Sequence, residues 1–184
     1  ELKEKFFRND KEKGLIIVHT GDGKGKTTAA LGLAIRAWGE GLHILILQFI
    51  KGGWKYGELK ALAALGEGIE VRQCGKGFTQ REEENKAEHQ AAAQKALQEA
   101  EKEMQSGKWD MLILDEINYA VKFGLIEEKD VLRLLENKPA QLHLILTGRD
   151  ARPSIIAQAD LVTEMKLIKH PFQKGIKAQK GIEF

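Results

Sequence analysis

Thr20-Gly21-Asp22-Gly23-Lys24-Gly25-Lys26-Thr27-Thr28 follows directly on the apolar run Leu15-Ile16-Ile17-Val18. A β-branched run, then glycines, then Gly-Lys-Thr opening an Ala/Leu-rich segment predicts a strand, a phosphate-binding loop and a helix. Glycines let consecutive backbone N–H groups point inward at the positive end of the helix, where an anion is favoured. Lys26 is placed to reach the outer phosphates of a nucleotide, and the Thr27 hydroxyl to bind Mg2+. One position departs from the usual G-x-x-x-x-G-K-T spacing. Thr20 stands where the first glycine is expected, and Gly21 comes one step late. A dinucleotide fingerprint fails on spacing, because the sixth position counted from Gly21 is Lys26.

Outward from this loop, apolar runs alternate with helical patterns. Strands are expected near 15–19, 42–48, 69–73, 111–115, 142–147 and 160–165. Helices are expected near 27–38, 57–65, 82–106, 127–136 and 152–158. Ile44-Leu45-Ile46-Leu47 and Met111-Leu112-Ile113-Leu114 are continuously apolar, as strands buried on both faces of a parallel sheet are. The alternation predicts an α/β fold of the P-loop NTPase-like, doubly wound kind. Its mainly parallel sheet of about six strands is flanked by helices through right-handed crossovers. Glu82–Gln105 is rich in Ala, Glu, Gln and Lys and reads as a long helix packed on the sheet. Residues 1–13 form a charged arm broken by Leu2, Phe6 and Phe7, and residues 14–184 form a single domain.

The second half of the site is read from Met111-Leu112-Ile113-Leu114-Asp115-Glu116. A buried strand ending in an acid beside a phosphate loop holds Mg2+, directly or through Thr27, and a following Glu activates water in many ATPases. Two acids opening a helix is the alternative, since negative charge is favoured there in any case. Ile145-Leu146-Thr147-Gly148-Arg149 runs into polar residues at the same sheet edge, where ligands of open α/β sheets gather. Arg149 and Arg152 are thus candidates to face the phosphates, although arginines are common at strand ends.

Bulk properties narrow the class. The chain has 184 residues, 42% hydrophobic and 30% charged, enough for one sizeable core. With 29 basic and 27 acidic residues the net charge is +2, which favours neither a nucleic-acid groove nor a membrane patch. No apolar stretch approaches the ~20 residues that span a bilayer, and no signal peptide is evident. A lone cysteine, Cys74, excludes an internal disulfide, fits a reducing cytoplasm and reads as a small residue after a strand. The five histidines lack zinc spacing; His19, His43 and His143 fall in strand patterns, packed or hydrogen-bonded. The chain begins at Glu1 rather than Met, so the natural N-terminus need not be present.

From about Gly14 to Phe184 the chain resembles the phosphate-loop class of ATP:corrinoid (cobalamin) adenosyltransferases. The resemblance is carried by the variant loop from Thr20 to Thr28 and by Gln48-Phe49-Ile50-Lys51-Gly52. It continues in Gly77-Phe78-Thr79, Leu114-Asp115-Glu116, Thr147-Gly148-Arg149 and the ending Lys177-Ala178-Gln179-Lys180-Gly181-Ile182-Glu183-Phe184. It implies transfer of the 5′-deoxyadenosyl group of ATP to Co(I) of a corrinoid, with triphosphate leaving. It implies ATP contacts from Gly21, Asp22, Gly23, Lys24, Gly25, Lys26, Thr27, Thr28, Arg36 and Arg149. It also implies Mg2+, with Mn2+ as an alternative, on Thr27 and Asp115 or Glu116.

Lys26, Phe78 and Glu116 are the expected catalytic residues, and Phe78 and Gln80 the expected corrinoid contacts. In the family an aromatic pair lies against the corrin and displaces a lower axial ligand. Phe78 matches one aromatic, but Gln80 stands at the Trp position. Weaker ligand displacement, another corrinoid preference, or compensation by Trp54 would each follow from that change. Phe78 read without the resemblance is a hydrophobe covering the sheet edge. The arm with Phe6 and Phe7 is either a lid over the corrinoid or a frayed terminus. A flavodoxin-like reductant, a homodimer and a cytoplasmic location are further expectations, with no nucleic-acid or membrane partner. The competing classes are a recombinase-like ATPase, with Glu116 activating water, and a small-molecule kinase, whose Arg-rich lid is not found.

Overall fold

The computed structural model describes residues 13–52, 56–77 and 86–183. Six strands form one sheet: β1 (Ile16–Thr20), β2 (Ile44–Gln48), β3 (Ile69–Gln73), β4 (Met111–Asp115), β5 (His143–Thr147) and β6 (Leu161–Glu164). Their order is β3-β2-β4-β5-β1-β6, and every neighbouring pair is parallel. Among the described residues the helices are α1 (Lys26–Gly39), α2 (Gly57–Ala64), α3 (Lys86–Met104), α4 (Ile117–Lys122), α5 (Glu128–Glu136) and α6 (Pro153–Gln158). A 3-10 turn follows at Pro171–Lys174.

The pattern of burial explains why the strands were legible. β1, β2 and β4 are buried at every position, so nothing polar interrupts them until their ends. Side chains alternate between two cores. Val18, Leu45, Leu47, Leu112, Leu114, Leu144 and Leu146 face α3, α4, α5 and α6. Ile17, Ile44, Ile46, Ile113 and Ile145 face α1 and α2. The result is a three-layer α/β/α sandwich. Ala30, Ala34 and Ala37 of α1, and Ala93, Ala96 and Ala100 of α3, supply buried stripes small enough to bring both helices close to the sheet.

The described strands are parallel throughout, in keeping with the sequence expectation. Two details differ from it. α4 was not expected, because it is short and its N-cap residue, Glu116, makes no side-chain cap. His43 precedes β2 and is exposed, with Nδ1 3.5 Å from Asp110 Oδ2, whereas His143 accepts the Leu15 N–H at Nδ1 over 3.1 Å. Cys74 sits just after β3, and burial pushes its thiol up to about 11. Among the described residues no helix is long and apolar enough to cross a membrane. The arm before residue 13 and the sequence motifs at Trp54, Phe78 and Gln80 lie outside the described residues.

Candidate active site

The carboxyl ends of the central strands converge on one edge of the sheet. Register pairs Gln48 with Asp115, Leu114 with Leu146, and His19 with Thr147. β1 stays paired through Thr20, opposite Glu164. The Thr20 hydroxyl accepts the Ala151 N–H at 3.1 Å, and its carbonyl accepts the Met165 N–H at 2.9 Å. Thr20 is therefore a strand residue that ties β1 to the segments after β5 and β6, and the turn begins one residue later. Gly21 makes that turn at φ 97°, with the Met165 carbonyl oxygen 2.4 Å from where a Cβ would stand. The displaced first glycine follows from this crowding. Gly23 N–H then donates to the same carbonyl at 2.7 Å, fixing the loop before α1 opens at Lys26.

Asp115 is the hub beneath the loop. It is 1% exposed, and its Oδ1 accepts from Thr27 Oγ1 and from Thr147 Oγ1, each at 2.8 Å. Its Oδ2 accepts from Gln48 Nε2 at 3.4 Å and faces Lys51 Nζ at 3.6 Å. A buried carboxylate survives only when so partnered. Thr147 Oγ1 also accepts the Glu116 N–H at 2.9 Å. One chain of hydrogen bonds thus joins the phosphate loop, β4 and β5. Glu116 takes a left-handed φ of 65°, uncommon for a residue with a side chain, and turns its carboxylate into the cleft.

The electrostatics divide this site. Burial, then the neighbouring Asp115 carboxylate, pushes the Glu116 carboxyl above the usual carboxylate range. Burial lowers the Lys26 ammonium, opposed by Glu116, and Lys26 Nζ donates to the Gly23 carbonyl at 2.6 Å. Burial acts in the same sense on Lys51, but Asp115 and Glu58 outweigh it and hold that ammonium above its ordinary value. Lys51 Nζ is 2.9 Å from Glu58 Oε1 and lies over the Tyr56 ring, 4.7 Å from its centroid.

A cleft of about 750 Å3 opens above these groups, within the size range of ligand pockets. Gly23, Lys24, Gly25, Lys26, Thr27 and Thr28 form one wall, with Lys51, Glu116 and Arg149 also lining it. Apart from Lys51, these are sequence candidates that the structure brings together. Asp115 lies below the cleft rather than in its wall. Gly21 is turned against Met165, and Asp22 is exposed outside the lining, although its charge favours the Lys26 ammonium. Arg36 stands in the last turn of α1, exposed, and does not line the cleft. At ~1.5 Å per helical residue it sits about 15 Å along the axis from Lys26. Arg152 is 3.8 Å from Glu128 on α5 and likewise lies outside the lining.

Sequence reasoning missed several lining groups. Lys51 follows the end of β2, and the rule that ligands gather at strand ends was the signal for it. Tyr119 of α4 and Phe123, which caps that helix's C-terminus four residues on, also line the cleft, as do Lys122 and the distant Gly181-Ile182-Glu183. Glu183 forms an ion pair with Lys24 of the phosphate loop. Only the three-dimensional fold brings that contact about.

A phosphate loop at β1–α1, a buried Asp–Thr pair under it and a cationic cleft at the carboxyl edge of a parallel sheet define a nucleotide-binding enzyme of the phosphate-loop class. The model of the family "ATP:corrinoid adenosyltransferase BtuR/CobO/CobP" matches residues 12–184, and the chain belongs to that family. It is 45% identical over 175 residues to the corrinoid adenosyltransferase of a Sinorhizobium species, covering 94% of this chain and 81% of that one. It is 40% identical over 183 residues to the corrinoid adenosyltransferase of Pseudomonas aeruginosa, covering 100% and 90%. Among solved structures, the cytoplasmic domain of the Thermomonospora curvata type VII secretion ATPase EccC aligns at TM-score 0.44 and 16% identity. That alignment spans 82% of this chain and 20% of the other.

Proposed function

We propose that the cleft binds ATP and that the chain transfers its 5′-deoxyadenosyl group to Co(I) of a corrinoid. The Co–C5′ bond forms as the C5′–O5′ bond breaks, and the leaving electron pair stays on inorganic triphosphate. The observation that carries this reading is the Thr27–Asp115–Thr147 hydrogen-bond chain beneath a loop whose Lys26 faces the same cleft as Arg149. The reaction removes no proton from its nucleophile, so it needs no general base. It needs C5′ held in line and the charge growing on triphosphate stabilised. The loop N–H groups, Lys26, Arg149 and Lys51 suit that second task.

The donor set also suits Mg2+, with Mn2+ as the alternative. Among the described residues no three of His, Cys, Asp and Glu form a metal cage. Mg2+ needs none beside a nucleotide, because it keeps water and takes phosphate oxygens with one or two protein oxygens. Thr27 Oγ1 and Asp115 Oδ1, already 2.8 Å apart, are the hard ligands on offer, with Glu116 beside them in the cleft. Bound there, the ion would neutralise charge on the phosphates. Lys26 and Glu116 are assigned to the chemistry, Phe78 and Gln80 to the corrinoid, and residues 1–13 to a lid over it. The reading extends to a flavodoxin-like reductant, a homodimer and a cytoplasmic setting, each supported by the family resemblance. The near-balanced charge supports the absence of nucleic-acid and membrane partners.

The test is an anaerobic incubation with MgATP and chemically reduced cob(I)alamin, following Co(I) absorbance and the phosphate product. Loss of Co(I), a light-sensitive adenosylcorrinoid and one triphosphate per turnover are expected. Stable Co(I) with ADP and phosphate accumulating would overturn the proposal in favour of an ATPase.

A further inference from the structure

Phosphates and metal account for the cationic half of the cleft, and leave its aromatic half without a task. Tyr119 and Phe123 stack on each other with centroids 4.2 Å apart and planes inclined at 30°. Both line the cleft that the phosphate loop lines, and Leu31 and Ile182 add apolar lining. Phe123 is 39% exposed, an unusual placement for a phenyl ring with a core nearby. The pair is also held firmly. Lys122 Nζ lies 5.6 Å from the Phe123 centroid and bonds Asp150 Oδ2 at 2.5 Å, which ties α4 to the loop after β5. Gly148 in that loop runs so close that a Cβ there would stand 2.8 Å from the Tyr119 nitrogen.

We infer that the Tyr119–Phe123 pair is the platform on which the adenine ring of ATP rests, an inference built on the nucleotide reading above. An aromatic surface gives little to a triphosphate, whose charge is matched by Lys26, Lys51 and Arg149. It gives most to a flat, polarisable ring, and adenine is that part of the molecule whose phosphates the loop holds. A rigid seat for the base fixes the nucleoside at both ends. The C5′ carbon between them then has little freedom, which an in-line displacement requires. Purine nucleotides should therefore bind better than pyrimidine ones, through ring area rather than through hydrogen bonds.

The test compares wild type, Phe123→Ala and Phe123→Leu by titration calorimetry with MgATP and, separately, with magnesium and inorganic triphosphate. Phe123→Ala should weaken ATP by about 5- to 150-fold, the usual worth of a base stacked on an aromatic ring. Triphosphate, which has no ring, should bind all three proteins alike, and Phe123→Leu should fall between the other two with ATP. Equal losses for ATP and triphosphate would make the pair merely structural and overturn the inference. Unchanged ATP binding with a raised KM for the corrinoid would also overturn it, placing the corrin on this surface instead. Failure of wild type to bind ATP would reject the nucleotide reading itself. Wild type binding ATP with Phe123→Ala unchanged would reject only the platform.

Discussion

Replacing Thr147 by Val asks how much the hydrogen-bond chain under the phosphate loop contributes. Thr147 is fully buried, so the branched side chain keeps its packing and loses only the hydroxyl. Two bonds go with it. The Glu116 N–H loses its acceptor at 2.9 Å, and Asp115 loses a donor at 2.8 Å while keeping Thr27 and Gln48. A stranded donor costs about 1–3 kcal/mol, and Glu116 is only part-buried, so the lower end applies. A hydrogen bond to an ionised carboxylate contributes about 1.5–3 kcal/mol. The added methyl returns about 0.8 kcal/mol of apolar burial. The net expectation is a loss of about 2–3 kcal/mol, or a fall in Tm of roughly 5–10 °C for a domain of this size. Urea and thermal unfolding read this directly. Thr147→Ser, which keeps the oxygen and drops the methyl, should cost only about 1 kcal/mol. The two variants together separate hydrogen bonding from packing. Thr147→Val within about 0.5 kcal/mol of wild type, or Thr147→Ser the worse of the two, would refute the role given to the hydroxyl.

Two further outcomes follow from backbone and charge. Gly148 adopts φ 130° with Tyr119 N 2.8 Å and Asn118 Cβ 3.0 Å from the position of a Cβ. Gly148→Ala should therefore cost about 2–4 kcal/mol of strain and overpacking, seen as a lower urea midpoint, and should shift Arg149 enough to weaken ATP binding. A variant as stable as wild type would show that the loop yields freely. Burial raises the Glu116 carboxyl above its free value of 4.5, so its ionisation opposes folding. The stability contributed by the protonated carboxyl is therefore full below pH 4.5 and is lost as pH rises through the higher native value. Glu116→Gln removes that loss. Its stability relative to wild type should grow as pH rises from 4.5, while adenosyl transfer slows. A stability difference independent of pH would refute the sign.

The parts of this site legible in the sequence are those whose constraints are local. β2 and β4 read plainly because burial on both faces permits nothing but apolar residues until Gln48 and Asp115. The loop read plainly because its glycines answer to the turn itself. Thr20 looked anomalous because its reason is distant: the Met165 backbone, which crowds Gly21, and the Ala151 N–H. The sequence likewise left the choice between Asp115 and Glu116 open, since adjacent acids look alike in a string. The backbone separates them. Asp115 keeps the strand conformation and points down to Thr27, whereas the left-handed turn at Glu116 sends the next carboxylate into the cleft. α4 escaped notice because six residues without a side-chain cap carry almost no helical periodicity, yet it brings Tyr119 and Phe123 to the cleft. The pairing of Lys24 with Glu183 had no local signal at all. The cleft draws its walls from the loop after β1, from strand ends and from the far tail. The loop's share is therefore written locally in the sequence, and the rest exists only once the sheet has ordered the chain.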